Sequence, residues 1–151
     1  MFRVRVIMAV CAAALALGGV ASAAGMADVV KTRQAALKAL GAEFKALNDE
    51  SRKGEPDLKR IRAAAAAMRK ASGELPKWFP KGSGPEAGAP TKTKPAVWSD
   101  SAGFAQSARE LGAEAAKLQT VAAGGDVDEI RAQAKTVGQT CGGCHAKFRE
   151  K

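Results

Sequence analysis

The feature that most constrains this chain is the run Cys141-Gly142-Gly143-Cys144-His145, close to the carboxyl end of the sequence. On a helix, residues three and four apart share a face, and three residues climb only about 4.5 Å. Both thiols can therefore reach the two vinyl groups of one porphyrin, and His145 can bind the iron. The spacing predicts one covalently bound haem c, attached at Cys141 and Cys144, with His145 as an axial ligand.

Three other interpretations of the same run stay open on the residues alone. A structural zinc site needs four Cys or His ligands, and after position 23 the chain has two Cys and one His. A thioredoxin-type dithiol belongs to a βαβ pattern, which the sequence lacks. A plain disulfide beside an accidental histidine is the third alternative.

The amino terminus is typical of a cleaved secretory signal peptide. Arg3 and Arg5 precede an apolar stretch, and Ala21-Ser22-Ala23 resembles a cleavage site. The apolar stretch is too short to cross a bilayer, so we expect no membrane segment. Residues 1–23 are thus predicted as signal and residues 24–151 as one domain. Together with the haem motif, this predicts a protein of the bacterial periplasm.

The charge pattern argues against one class of partner. Removing residues 1–23 removes Arg3 and Arg5 and lowers the formal net charge from +9 to +7. The remaining cations alternate with carboxylates along helical stretches, which is typical of solvated faces. Nucleic-acid binding needs a focused basic patch, so we expect no such role.

Apolar periodicity predicts four helices and no strand, hence an all-α, up-and-down antiparallel four-helix bundle. The first helix is expected over residues 28–53, with Asp28 as N-cap, and the second over residues 56–75, with Pro56 in its first turn. The third begins at Ser99 or Asp100 and ends at Gly124-Gly125. The fourth follows a cap at Asp126 and carries the haem motif in its last turns. A long crossover loop, residues 76–99, joins the second and third helices.

The sequence offers little for the second axial position of the iron. Six residues follow His145, and none is Met or His. Met26 lies near the start of the first helix, and Met68 lies on the apolar stripe of the second, where we interpret it as core. Axial binding by either Met remains an alternative, but we expect no protein atom at this position.

These features together resemble the class II c-type cytochromes, in particular the cytochrome c′ family. The resemblance covers the whole predicted domain, and its C-terminal haem motif is the specific part. The matching segments are Lys31-x-Arg33-Gln34-x-x-Leu37, Leu75-Pro76, Phe79, Trp98-Ser99-Asp100, and the stretch from Cys141 to Arg149. Two departures are Thr32, where the family often has an aromatic residue, and the pair Gly142-Gly143 between the cysteines.

The resemblance implies a five-coordinate, high-spin haem. It places Leu37 in the distal pocket, where low-spin relatives have an axial Met, and Arg149 beside the proximal histidine. It also implies that Arg33 and Gln34 contact the haem propionates. Because Leu37 offers no hydrogen bond, NO and CO are favoured over O₂ as ligands. We further expect Trp78 and Phe79 to wall the haem crevice.

The expected function is one-electron transfer with exported redox partner proteins, by a haem that also binds NO and CO. A dedicated NO-binding protein and a low-spin His/Met electron carrier are the alternatives. We expect no enzymatic activity, because no acid–base residues flank the predicted distal face. Gly41 and the alanine run at residues 63–67 could form a homodimer face, as in many members of the family.

Overall fold

The computed structural model describes the backbone of residues 18–151 and the side chains of residues 25–151. Five helices occur in this part of the chain: α1 (Gly18–Ser51), α2 (Leu58–Glu74), α3 (Ala96–Ser99), α4 (Ser101–Gly124) and α5 (Val127–Phe148). Two 3₁₀ turns, Leu75–Trp78 and Pro85–Ala87, lie in the crossover between α2 and α4. Residues 1–17 of the predicted signal peptide lie outside the described residues, and residues 18–23 form the start of α1.

The four long helices form an antiparallel bundle. Contacts join α1 to α2, α2 to α4, α4 to α5 and α5 back to α1, and the α1–α5 interface is the sparsest of the four. One apolar core runs between them, with buried residues from each helix: Leu47, Ile61, Ala65, Met68, Phe104, Leu111, Leu118, Ile130, Ala134, Val137 and Phe148. The predicted all-α four-helix bundle with a long crossover is confirmed. Within the described residues, no helix is both long and apolar enough to cross a bilayer.

Aspartate side chains fix the starts of three helices. Asp57 accepts hydrogen bonds from the N–H groups of Lys59 and Arg60, and Asp126 accepts from those of Asp128 and Glu129. Asp100 accepts from Gly103 N–H. These bonds satisfy N–H groups that the first turn of a helix leaves free. The cap predicted at Asp126 is therefore confirmed, and α4 starts directly after the predicted Ser99 or Asp100.

Two predicted helix starts are wrong. The first helix does not begin at Asp28, because α1 already starts at Gly18 and Asp28 lies inside it, paired with Lys31. The second helix does not take Pro56 into its first turn, because Asp57 supplies the cap and helical geometry begins at Leu58. Asp28 and Pro56 are both residue types that favour a helix start. At Asp28 the helix simply continues through the residue, and next to Pro56 the cap is formed by Asp57 instead.

Two contacts seven residues apart set the register of α1 against α5. Arg131 Nε donates to Ser51 O at 2.8 Å. Seven residues along each helix, the Phe44 ring lies so close to Gly138 that a Cβ there would meet its Cζ at 3.2 Å. Glycine at position 138 therefore lets the two helices approach. The same antiparallel spacing, continued for seven more residues, brings Leu37 level with His145.

The crossover is tied to both ends of this helix pair. Gln34 Nε2 donates to Pro90 O at 2.8 Å, which holds the crossover on α1. An isolated antiparallel bridge joins Thr93 to Arg149 just beyond α5, through Lys94 N–H to Phe148 O at 3.0 Å and Glu150 N–H to Lys92 O at 2.8 Å. The crossover is thus a strap from α1 to the carboxyl end of α5.

The close approach at Gly138 predicts an asymmetric response to leucine. Gly138→Leu should lower the free energy of unfolding by about 1–3 kcal/mol, because the new side chain must displace the Phe44 ring. Gly41→Leu is the matched control, since Gly41 is exposed and a Cβ added there would meet no neighbouring atom. It should leave stability unchanged or raise it. Urea unfolding of the two variants checks this; equal stabilities would contradict the α1–α5 register.

The environment of Glu50, at the turn between α1 and α2, indicates that part of the free energy of unfolding depends on pH. This carboxylate is 8% exposed and accepts from Lys53 Nζ at 2.6 Å and from Asp57 N–H at 2.8 Å. The Lys53 hydrogen bond, followed by the backbone one, lowers the pKa of Glu50. A lowered folded-state pKa stabilises the protein above the unfolded-state pKa of about 4.3, and this contribution is lost as pH falls through the folded-state pKa.

We therefore expect Glu50→Gln to be less stable than the parent protein at neutral pH, with the difference shrinking below about pH 4. Urea unfolding across the acid range measures it. Glu55→Gln is the control: it removes a charge from the same turn, but Glu55 is exposed and is not among the hydrogen-bonding side chains of residues 25–151. A Glu50→Gln difference that stayed constant with pH would refute the assignment.

Candidate haem-binding site

The predicted attachment residues lie on the last two turns of α5. Cys141 and Cys144 are partly buried free thiols packed against the bundle core, and His145 is exposed. Burial raises the pKa of both thiols. Desolvation, helped by the nearby Arg149 charge, lowers the pKa of His145. His145 is therefore held toward the neutral imidazole, the form that binds a metal.

The alternatives to a haem site gain no support from this arrangement. Among the described residues, no group of three His, Cys, Asp or Glu side chains is placed to hold a metal ion. A structural zinc site needs four such ligands. Residues 18–151 also lack the βαβ unit of a thioredoxin-type dithiol, since their extended structure is a single isolated bridge.

Two matched stripes face each other where α1 and α5 run antiparallel. On α1 the stripe is Arg33, Leu37 and Phe44, and on α5 it is Arg149, His145 and Gly138. The spacings are four and seven residues on both helices, and Phe44 contacts Gly138. The register thus places the apolar Leu37 level with His145, and Arg33 level with Arg149. Leu37 is partly buried and packs against the core.

Arg33 is a buried cation with no carboxylate partner. It is 2% exposed, and none of the ion pairs among residues 25–151 includes it. Nη1 donates to Ser83 Oγ at 2.9 Å, while Nη2 donates to Ser83 O at 3.0 Å and Thr91 Oγ1 at 3.2 Å. The guanidinium also lies over the Phe79 ring, 4.6 Å from its centroid. Burial lowers the pKa of Arg33.

One donor of Arg33 is left over, and this tests whether a haem fits. Nε is buried without a hydrogen-bond partner among the described residues. A buried charge is costly unless an opposite charge or further hydrogen bonds compensate it. The carboxylates of a haem propionate would supply both. The orphaned donor, two free thiols at the attachment spacing and the adjacent His145 together fit a haem.

The other predicted contacts are placed as follows. Gln34 is exposed, and its amide donates to Pro90 O, so in this structure it holds the crossover. Trp78 and Phe79 are partly buried against the core, at the carboxyl end of α2 where the crossover begins. Met68 is 1% exposed within the core cluster, which agrees with its interpretation as core.

Arg149 is exposed and takes part in the backbone bridge to Thr93. Its side chain, with those of His145, Glu150 and Lys151, lines an open depression of about 350 Å³ at the carboxyl end of α5. The predicted neighbourhood of Arg149 and His145 therefore exists in the structure.

Sequence reasoning missed an aromatic cluster and the anchors of Arg33. Phe104 packs edge-to-face between Phe79 and Phe148, at centroid distances of 4.9 and 5.4 Å. This cluster links the crossover to the ends of α4 and α5. Apolar periodicity alone places Phe104 and Phe148 on the inward stripes of the third and fourth helices, but it cannot show that their rings meet. For Ser83 and Thr91, nothing in a Gly- and Pro-rich segment distinguishes an arginine ligand from an ordinary turn residue.

Comparison with known proteins finds similarity over most of the chain. Residues 28–149 match the family model described as Cytochrome C′. Cytochrome c′ of Rubrivivax gelatinosus is 33% identical over 124 residues, which are 82% of this chain and 95% of the relative. Its crystal structure superposes with a TM-score of 0.75 at 32% identity, covering 83% of this chain and 97% of that one.

A second solved structure is similar over the same region. It is the nitric oxide complex of a variant of cytochrome c prime from Alcaligenes xylosoxidans. The TM-score is 0.74 at 28% identity, and the alignment covers 83% of this chain and 97% of that one. Since the family model spans nearly the whole region carrying the haem motif, the bundle and the crossover, this chain belongs to the cytochrome c′ family of haem proteins.

Proposed function

We propose that this protein is an exported c-type cytochrome with one haem attached through Cys141 and Cys144 and with His145 as its one protein ligand to the iron. The carrying observation is the α1–α5 register, which sets the hydrocarbon side chain of Leu37 level with His145. A leucine cannot coordinate a metal. With haem bound, these residues would leave one coordination position to small exogenous ligands, which would give a five-coordinate, high-spin iron at rest.

The chain's own residues have distinct roles in this proposal. The haem, when bound, supplies a one-electron couple and a coordination position for a diatomic gas. Cys141 and Cys144 fix it to α5, and His145 ligates its iron as a neutral imidazole. Arg33 offers the propionates a buried guanidinium with a free donor, and Phe79 keeps that guanidinium oriented. Gln34 borders the same region from α1, and Trp78 borders it from the start of the crossover.

The distal side would discriminate among diatomic gases because Leu37 provides no hydrogen-bond donor there. Leu37 has no hydrogen-bond donor, and O₂ depends on such a donor more than NO or CO does. Leu37 must also move aside before a ligand enters. We therefore infer that NO and CO bind usefully and that O₂ does not. The nitric oxide complex of the Alcaligenes relative supports this extension to the present chain.

We infer electron transfer as the main role, with exported redox proteins as partners, and a carrier or binding function rather than catalysis. Dedicated NO binding is the second candidate, favoured by the same nitric oxide complex. A low-spin His/Met carrier would need Met26 or Met68 to reach the iron. Met68 fills the core at 1% exposure, which does not favour this.

Location and assembly are part of the proposal. Residues 1–23 act as a signal peptide that directs the chain to the periplasm, where the haem is attached. For assembly, Gly41, Ala63, Ala66 and Ala67 are exposed small residues on α1 and α2, and they are suited to close helix contact between two copies. Sedimentation that gave monomer alone at high protein concentration would remove the homodimer.

Absorption and EPR spectra of the purified holoprotein, with and without NO, test the proposal. We expect a high-spin resting spectrum that shifts with NO and with CO, and a polypeptide mass increased by one haem. A low-spin spectrum with a methionine ligand would end the claim of a free coordination position. Colourless protein with no added mass would refute the haem assignment for Cys141 and Cys144.

Leu37→Ala should bind CO faster than the parent protein in the ferrous state, because the side chain that blocks the distal side is shortened. Stopped-flow absorption measures the rate. Leu40→Ala is a suitable control, since Leu40 is also a partly buried α1 leucine that packs on the core but lies three residues further along α1, about 4.5 Å from the level of His145. Equal CO association rates for Leu37→Ala and the parent would show that Leu37 does not gate the site.

Arg33→Met should lower the reduction potential by an amount on the order of tens of millivolts, because a buried cation near the haem favours the form with one more electron. Lys59→Met, a change at the far end of the bundle, should alter the potential little. Redox titration followed by absorption provides the measurement. An unchanged potential in a folded Arg33→Met holoprotein would place the guanidinium away from the haem.

A further inference from the structure

Four cations from two distant segments lie together at the carboxyl end of α5. They are Lys92 and Lys94 of the crossover, and Arg149 and Lys151 of the C-terminal tail; we call this set the basic rim. Lys92 Nζ donates to Lys151 O at 3.1 Å, and Lys94 Nζ donates to Ala146 O at 3.1 Å. The Thr93–Arg149 bridge brings the two segments side by side.

No cation of the basic rim is paired with a carboxylate side chain in the described part of the chain. Seven ion pairs occur among residues 25–151, most of them between residues three or four apart on one helix. None includes a cation of the basic rim. Glu150 is the one carboxylate side chain in the two bridged segments, and it too forms none of these pairs. The rim therefore presents a net positive field to solvent, although the sequence suggested cations spread evenly among carboxylates.

The rim borders the residue proposed to hold the iron. Arg149 and Lys151 line the same depression as His145, and Lys94 bonds the carbonyl of Ala146, the next residue. A partner seated on the rim would therefore cover the outer edge of the haem-bearing helix. Electron transfer between proteins needs such a short approach to the cofactor.

The rim is also fixed before any partner arrives. Thr91 Oγ1 accepts from Arg33 Nη2 and from Thr93 N–H at 3.1 Å, and it bonds Thr93 Oγ1 at 3.1 Å. The buried Arg33 thus anchors the crossover segment that carries Lys92 and Lys94. Binding then requires little ordering of the backbone, which reduces the entropic cost of association.

We propose that the basic rim is the docking surface for an acidic partner protein, and that the redox exchange of the proposed function takes place there. Complementary charge steers such partners into contact and fixes their orientation, and it acts mainly on the association rate. This proposal rests on the haem-bearing electron carrier inferred above. It adds the surface to which the partner binds and the acidic character of that partner.

Fluorescence anisotropy of labelled poly-L-glutamate, titrated with the holoprotein at low ionic strength, tests the docking surface. The rim variant is Lys92→Gln/Lys94→Gln/Lys151→Gln, which leaves Arg149 and the haem ligands intact. The matched control is Arg52→Gln/Lys59→Gln/Lys135→Gln, away from the rim, which removes the same charge. None of these three control cations is in an ion pair of the described chain.

We expect the rim variant to bind the peptide about tenfold more weakly, and the control variant to bind like the parent protein. The bound peptide should also protect Lys92 and Lys151 from acetylation, read by mass spectrometry. If both variants bound the peptide equally more weakly, the cause would be the lower net charge alone, and the proposal would be wrong. It would also be wrong if neither variant bound more weakly than the parent protein. Circular dichroism and haem absorption verify that both variants are folded and loaded.

Vesicles of phosphatidylglycerol separate a membrane from a protein partner. If the rim bound these vesicles more tightly than it binds the peptide, the partner would be an anionic lipid surface and the proposal of an acidic protein partner would be wrong. Failure of the proposed function is distinguishable, because peptide binding is measured without electron transfer. Rim-dependent binding by a holoprotein that exchanges no electrons would support the docking surface and refute the carrier role.

Discussion

The buried guanidinium of Arg33 is the constraint around which one end of this molecule is arranged. A cation removed from water needs compensation, and here it comes from two oxygens of Ser83, one of Thr91 and the face of Phe79. None of these groups carries a negative charge. The compensation is incomplete, because Nε is buried without a partner in the described structure. The fold thus holds a positive charge in a place that suits an anionic cofactor better than it suits the protein alone.

The same arginine explains why a Gly- and Pro-rich crossover can have a defined path. Loops of this length in a compact domain are either functional or disordered. Arg33 and Gln34 hold it at Ser83, Pro90 and Thr91, and two residues later it pairs with the end of α5. Trp98 Nε1 adds hydrogen bonds to the carbonyls of Phe79 and Pro80. The crossover therefore connects α1 with the end of α5, the helix that carries the haem motif.

Local signals in the sequence predicted what local interactions determine. Apolar periodicity gave the four long helices, and Asp100 and Asp126 marked two of their starts because a cap is formed within three residues. The same kind of signal was wrong at Asp28 and Pro56, where continuation of α1 and the cap at Asp57 decided the boundary. The motif Cys141-x-x-Cys144-His145 predicted a haem site because its spacing suits two thioether bonds and one iron ligand on the same helix face. The partners of Arg33 could not be predicted, since they lie some fifty residues away and are common turn residues.

The sparse α1–α5 interface gives a physical reason for the position of the haem motif. Near Phe44 and Gly138 the two helices are in close contact, which leaves no room for a large planar group. Toward the other end the same register brings Leu37 level with His145, and the partly buried thiols of Cys141 and Cys144 lie on the same turns of α5. Of the four helix–helix interfaces this one has the fewest contacts to lose, so a cofactor can enter there at least cost to the core. One end of the helix pair thus holds the two helices together, and the other carries the haem motif.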